Sequence, residues 1–188
     1  MPRGLAFLLM LVCLSGCALV GTTGGSGSTE LLPMAPPVGP ARRIVQQITA
    51  FWPGRQESLL CVLELDKQHI AIAGLSGDGL SLFNLSYDGK TVTLDKSPLL
   101  PAAFSPEFII KDLQLVYWPL AELQKILPKN WRLETDGQHR NLYDNNGKLA
   151  DVDYLQPDTV WSKDVSVTNH RYHYHLHILT LSYDTLPE

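Results

Sequence analysis

Between residues 55 and 182 the chain is dominated by short runs in which apolar and polar positions alternate. Alternation with a period of two is the signature of a half-buried strand. LLCVLEL (59–65) and HIAIA (69–73) read as strands. LSLFNLSYDGKTVTLD (80–95) has two alternating runs around Asp88-Gly89 and predicts a hairpin closed by a two-residue turn. On its first arm Leu80, Leu82 and Asn84 share one face, and Ser81, Phe83 and Leu85 the other. Residues 131–134, 139–143 and 148–154 predict strands joined at Asp136-Gly137 and Asn146-Gly147. Residues 164–168 and 172–182 predict a last hairpin across Asn169-His170.

Two regions depart from that period. In RRIVQQITAFW (42–52), Ile44, Val45, Ile48 and Phe51 or Trp52 fall at helical spacing, which predicts a short amphipathic helix ended by Pro53-Gly54. Ser105-Pro106-Glu107 is a helix start: a capping residue, a proline at the first position, then an acid. Phe108, Ile109, Leu113, Leu115 and Val116 would form one broad apolar face. Trp118 precedes Pro119, which ends that helix, and a second runs through Leu120, Leu123, Ile126 and Leu127 to Pro128. The order is one helix, about four strands, two short helices and about five strands, an α+β arrangement. A sheet of that size with helices on one side is expected to curve into an open antiparallel half-barrel, its concave face covered by the helices.

The N-terminus carries another kind of signal. Arg3 is followed by an apolar stretch, Leu5 to Leu14, too short to span a bilayer. Leu14-Ser15-Gly16-Cys17 resembles the lipobox of bacterial lipoproteins, in which the signal is cut before the cysteine and the cysteine is acylated. That resemblance implies a signal peptide over 1–16 and lipidation, with palmitate among the chains, at Cys17. Ala18, rather than an aspartate, implies export to the periplasmic face of the outer membrane. The alternative is an ordinary secretory signal that happens to contain Cys17. Each buried methylene contributes about 0.8 kcal/mol, so two or three chains anchor where one binds marginally. Gly21 to Ser28, then Pro33, Pro36, Pro37 and Pro40, predict a tether over 17–40, followed by one domain over 41–188.

Composition excludes some classes. At 188 residues, 45% hydrophobic and net charge −4, the chain has the makeup of one globular domain, and its lack of a basic patch argues against nucleic acid as a partner. Of three cysteines, Cys13 and Cys17 belong to the N-terminal signal, which leaves Cys61 with no internal disulfide partner, as a buried small hydrophobe. No Ser-His-Asp or Gly-x-Ser-x-Gly pattern points to catalysis, so neither an enzyme nor a cofactor is expected. Gly74-x-x-Gly77-x-Gly79 has no strand-to-helix switch after it and reads as a loop between strands. His173, His175 and His177 alternate, so in a strand they would share one face, and two of them (His173 and His175) could hold a zinc ion given a further ligand from elsewhere. No metal-binding motif accompanies them, and three along one strand spread too far for one ion. A solvent-facing row is the plainer reading, with Tyr172, Tyr174, Leu176 and Ile178 turned inward. Asp144-Asn145-Asn146-Gly147 and Asp151-Val152-Asp153 lack calcium-loop spacing and read as turn and strand chemistry.

The tether, the Tyr-Asp-Gly hairpin, KDLQLVYWP (111–119) and a closing strand with Asn169 before a tyrosine-rich alternation together resemble DUF3261, a family of bacterial lipoproteins. The likeness runs over most of residues 44–182, with Asp112–Pro119 its most distinctive part. It implies the half-barrel of the lipoprotein carriers and receptors LolA and LolB, and genes beside aryl polyene and fatty-acid-like biosynthetic enzymes. The implied role is to bind or transfer a lipid-like, acyl-type ligand in an apolar cavity, with an export or biosynthesis protein as a partner. The residues expected around that cavity are Leu82, Phe108, Leu113, Leu115, Tyr117, Trp118, Leu123, Trp131 and Tyr174. Leu99, Leu100 and Phe104 in SPLLPAAF (97–104) are the expected membrane-insertion loop. The competing expectation is a scaffolding lipoprotein with a filled core that recruits a protein partner.

Overall fold

The computed structural model describes residues 32–100, 104–156 and 162–187. The lipobox residues Leu14, Ser15, Gly16 and Cys17, and most of the expected tether, lie outside them. Among the described residues are ten strands and two helices. Strands β1 (Arg42–Trp52), β2 (Arg55–Leu65), β3 (Ile70–Leu75), β4 (Ser81–Tyr87) and β5 (Val92–Lys96) form one meander. Helices α1 (Pro106–Tyr117) and α2 (Leu120–Ile126) follow. A second meander contains β6 (Arg132–Thr135), β7 (His139–Asp144), β8 (Gly147–Tyr154), β9 (Asp164–Asn169) and β10 (Tyr174–Thr185). The two join where β1 pairs antiparallel with β10, giving one sheet in the order β5-β4-β3-β2-β1-β10-β9-β8-β7-β6. Its edges, β5 and β6, are not paired to each other, so the sheet is open.

The sheet must also be curved. Helix α1 touches β5 at one edge, while Arg140 of β7 reaches the carbonyls at its C-terminal end. Those strands stand eight steps apart in the sheet. Laid flat at ~4.8 Å per step, that is about 38 Å, roughly three helix diameters. One helix can meet both only if the sheet wraps around it.

The segment 42–52 is a strand, not the expected helix. Its inward face holds Arg42, Ile44, Gln46, Ile48 and Ala50, and this alternation carries two polar residues. Those two are what made the apolar spacing look helical. Both are buried and both are bonded: Arg42 donates to the Val38 carbonyl, and Gln46 Nε2 donates to the hydroxyls of Tyr117 and Thr180. Five residues of this strand's length pair with β2 beyond the reach of β3, so the β1–β2 hairpin projects past β3, while β10 follows β1 as far as Phe51.

The turns follow the aspartates. Asp88, Asp136 and Asp144 each accept backbone N–H bonds from the residues two and three further on. The Asp88 loop spans four residues, not two, because Tyr87 and Val92 are the last pair of β4 and β5. In β3, Gly74 is needed for space: a Cβ there would lie 2.1 Å from the Phe83 ring. The register of β3 and β4 slips at that point, and Leu82 is the extra residue.

Candidate functional site

Helix α1 begins at Ser105, whose hydroxyl donates to Glu107, with Pro106 in the first turn. Its C-terminal end is tied firmly to the sheet. Arg140 Nη1 donates to the carbonyls of Leu115 and Trp118 at 2.7 and 2.8 Å, and the Tyr154 hydroxyl donates to that of Val116. The Trp118 indole N–H donates to Pro36 at 3.1 Å and Gln114 Nε2 to Ala35 at 3.4 Å, which fixes the incoming chain beneath the same end. An arginine with such partners supplies the cation that the helix's last turn lacks.

Beneath α1 the helix and sheet stand apart and leave a cavity of about 440 Å³. Its floor is Gln46, Ile48, Ala50 and Trp52 of β1, Leu59, Cys61 and Leu63 of β2, Ile72 and Phe83, and Leu176 and Ile178 of β10. Its roof is Phe104, Ser105, Phe108, Ile109, Asp112, Leu113, Val116 and Tyr117, with Tyr172 and Tyr174 closing the side. Nearly all of this surface is apolar. Trp52 lines the cavity yet is 41% exposed, which marks where it meets solvent. Phe104 packs on Phe83 with ring centroids 4.9 Å apart, and Phe108 meets Tyr172 edge-on at 4.5 Å.

The cavity has few polar groups. Asp112 Oδ2 accepts from the Tyr174 hydroxyl at 2.6 Å, and Tyr174 accepts from Asn169 Nδ2 at 3.2 Å. Burial pushes the Asp112 carboxyl up to about 7, against the smaller opposing effect of the Tyr174 bond. Burial also holds the Tyr117 hydroxyl at about 12 and the Cys61 thiol at about 12, so Cys61 stays a neutral wall group.

Of the nine residues expected around a cavity, Phe108, Leu113, Tyr117 and Tyr174 line it. Five do not. Leu115 and Trp118 point into the solid core at the tied end of α1, Leu123 and Trp131 are buried in the core around α2, and Leu82 is displaced by the bulge beside Gly74. In the expected insertion loop, Leu99 is 71% exposed and Leu100 packs partly buried against the core. Phe104 turns inward to the cavity, and 101–103 lie outside the described residues.

The histidines do not form one row. His173 sits in the β9–β10 turn with φ 56°, one residue before the strand. His175 bonds Thr168 and stacks near Phe51, and His177 bonds Asp164 at 2.8 Å. His173 and His175 therefore have no shared strand face on which to hold an ion. Among the described residues no cluster of three metal-ligating side chains occurs.

Sequence reasoning missed the β1 floor because it took that segment for a helix. It also missed Asp112, although the signal was present: Phe108, Ile109, Asp112, Leu113 and Val116 share one helical face, and one of them is an acid.

No curated protein matches the chain. The solved structures similar to it include three that share little sequence identity with it. A LolA superfamily protein from Nitrosomonas europaea is 6% identical with a TM-score of 0.49, over 79% of this chain and 87% of its own. A DUF1329 family protein from Desulfovibrio piger is 8% identical with a TM-score of 0.43, over 79% and 86%. A putative outer membrane lipoprotein-sorting protein domain from Vibrio parahaemolyticus is 12% identical with a TM-score of 0.41, over 79% and 88%. A family model, described as a protein of unknown function, matches residues 43–182, which takes in every element from β1 into β10. By that match, over most of its length, the chain belongs to the DUF3261 family.

Proposed function

We propose that the protein is a lipid-handling binding protein, not an enzyme, that receives an elongated apolar ligand between its sheet and α1. The observation that carries this reading is the cavity itself. At roughly 24 cal/mol per Å³, a closed apolar void of about 440 Å³ would cost on the order of 10 kcal/mol, a ceiling for this one because it opens at Trp52. That equals the whole net stability of an ordinary domain. A chain selected only to fold would fill it with larger side chains. A ligand of about twelve methylenes would recover a similar sum at ~0.8 kcal/mol each. The scaffolding alternative asked for a filled interior, and the void speaks against it.

In this reading Cys17 carries the acyl anchor, and the domain works at the periplasmic face of the outer membrane. Leu99 is the side chain offered to the bilayer. An aryl polyene or fatty-acid-like pathway, implied by the family resemblance, would supply a ligand of this shape.

The test uses protein stripped of lipid by organic extraction and refolded, with N-phenyl-1-naphthylamine as a fluorescent apolar probe. Wild type is expected to bind it at micromolar concentration. Leu113→Glu, which puts a charge into the cavity wall, is expected to abolish binding while far-UV circular dichroism stays unchanged. No binding by wild type, or full binding by a folded Leu113→Glu variant, would overturn the proposal.

A further inference from the structure

The cavity's polar side narrows the ligand class, on the reading just given. We infer that the buried end of the ligand is an uncharged hydrogen-bond donor, a hydroxyl, and that Asp112 receives it.

Three observations support this. First, Asp112 is the one acid on the cavity face of α1, between Ile109 and Leu113, and the surface it retains faces the void. Second, its carboxylate is held in place from the sheet. Tyr174 donates to Oδ2, Asn169 donates to Tyr174, and Asn169 Oδ1 in turn accepts the Tyr172 backbone N–H at 3.0 Å. Among the described residues Asp112 takes no hydrogen bond other than that from Tyr174, so its second oxygen is available to an incoming donor. Third, among the described residues no lysine, arginine or histidine lines the cavity. A carboxylate or phosphate placed deep inside would meet an acid and no counter-charge, which is costly in an apolar setting.

A hydroxyl suits two polar groups of this lining that have bonding capacity left, Asp112 and Tyr172. It donates to Asp112 and accepts from the hydroxyl of Tyr172, a cavity-lining residue whose hydroxyl is buried with no hydrogen-bond partner among the described residues. Tyr172 stands against Phe108, one helical turn before Asp112.

The titratable groups around Asp112 are few. Tyr174 and Tyr172 face it from β10 and the turn before it. On α1 itself Lys111 is adjacent and Glu107 lies just over a turn earlier. Neither lines the cavity, and the upward displacement of the Asp112 carboxyl comes from burial, not from a neighbouring charge.

The experiment displaces N-phenyl-1-naphthylamine from the lipid-stripped protein with 1-dodecanol or dodecanoate, at pH 8.5 and 5.5. In wild type at pH 8.5, dodecanol is expected to displace the probe at about ten-fold lower concentration than dodecanoate. The gap should narrow at pH 5.5, where Asp112 and the fatty acid take up protons. In Asp112→Asn it should narrow several-fold at pH 8.5 as well. Equal displacement by the two at pH 8.5 overturns the inference and leaves the lipid-handling reading standing, because dodecanoate then binds with its head outward. A preference that Asp112→Asn leaves unchanged also overturns it, since the selection would then come from the apolar walls alone. If wild type binds neither probe nor displacer, the functional reading fails and this inference with it.

Discussion

Replacing Asp112 by asparagine should stabilise the protein, and by an amount that grows with pH. The native carboxyl titrates near 7, the unfolded one near the ordinary 3.8. A carboxyl raised on folding binds more protons in the native state than in the unfolded one between those values, so stability falls as pH rises through that window. Below about pH 4 both forms are protonated and the penalty vanishes. Above about pH 7 it is complete. Each pH unit of displacement corresponds to about 1.4 kcal/mol, which gives an upper bound of about 4 kcal/mol at pH 8. Some 1.6 kcal/mol of that is already present at pH 5 by the same arithmetic, so the rise from pH 5 to 8 is at most about 2.5 kcal/mol. Water entering past Trp52 would lower it. Asparagine keeps an oxygen for the Tyr174 hydroxyl and cannot ionise. Its own fixed effect on packing is independent of pH and drops out of the comparison. The assay is urea unfolding of wild type and Asp112→Asn, followed by tryptophan fluorescence, at pH 5, 6, 7 and 8. The stability difference between the two should grow in favour of the variant by about 1–2.5 kcal/mol across that range. A difference that stays flat from pH 5 to 8 would mean the carboxyl is solvated in the folded protein, and the apolar surroundings described for it would be wrong.

Two further changes probe the walls. Gly74→Ala would drive a methyl group into the Phe83 ring, now 2.1 Å from where a Cβ would sit, and push that ring toward the cavity. It should destabilise by roughly 1–3 kcal/mol in urea unfolding and weaken probe binding; unchanged values for both would refute the packing described. Arg140→Met should remove the donor from the carbonyls of Leu115 and Trp118, at about 1–3 kcal/mol, and hydrogen exchange should speed up in α1 before it does in the sheet. Exchange that accelerates equally everywhere would show that Arg140 supports the fold at large and not the helix end.

Much of the sheet was legible because its turns announce themselves. Asp88-Gly89, Asp136-Gly137 and Asp144 to Gly147 mark three hairpins by residues with a mechanism for reversing the chain, and each reverses there. Phe83 and Leu85 were placed together on one face, and both are buried. The start and stop of α1 and α2 were legible from Pro106, Pro119 and Pro128. The cavity was less so. Residue types say which side chains turn inward, but not whether opposite walls meet. Leu113 and Leu115 look alike in the sequence, yet one faces empty space and the other solid core. Two positions apart on a helix, they point about 200° from each other, and which face meets the void is set by how α1 is held on the sheet, through ties from Arg140 and Tyr154, 25 and 38 residues away.

The failure at β1 and the function proposed for the cavity have a common cause. Hydrophobic burial alone would draw α1 down onto the sheet until no void remained. Polar struts oppose this. Gln46, 3% exposed, stands up from the middle of β1 to meet the Tyr117 hydroxyl, and Tyr174 stands up from β10 to meet Asp112. Each strut joins two polar side chains end to end, and closing the gap further would force one of them out of its hydrogen bond and against apolar groups, so helix and sheet stay a side chain's length apart at these points. A strand with an unbroken apolar inner face would have been easy to recognise and would have packed flat. Gln46 obscured the period-two pattern of β1 because it is there to hold the roof, and the residues at either end of these struts are where the open interior is decided.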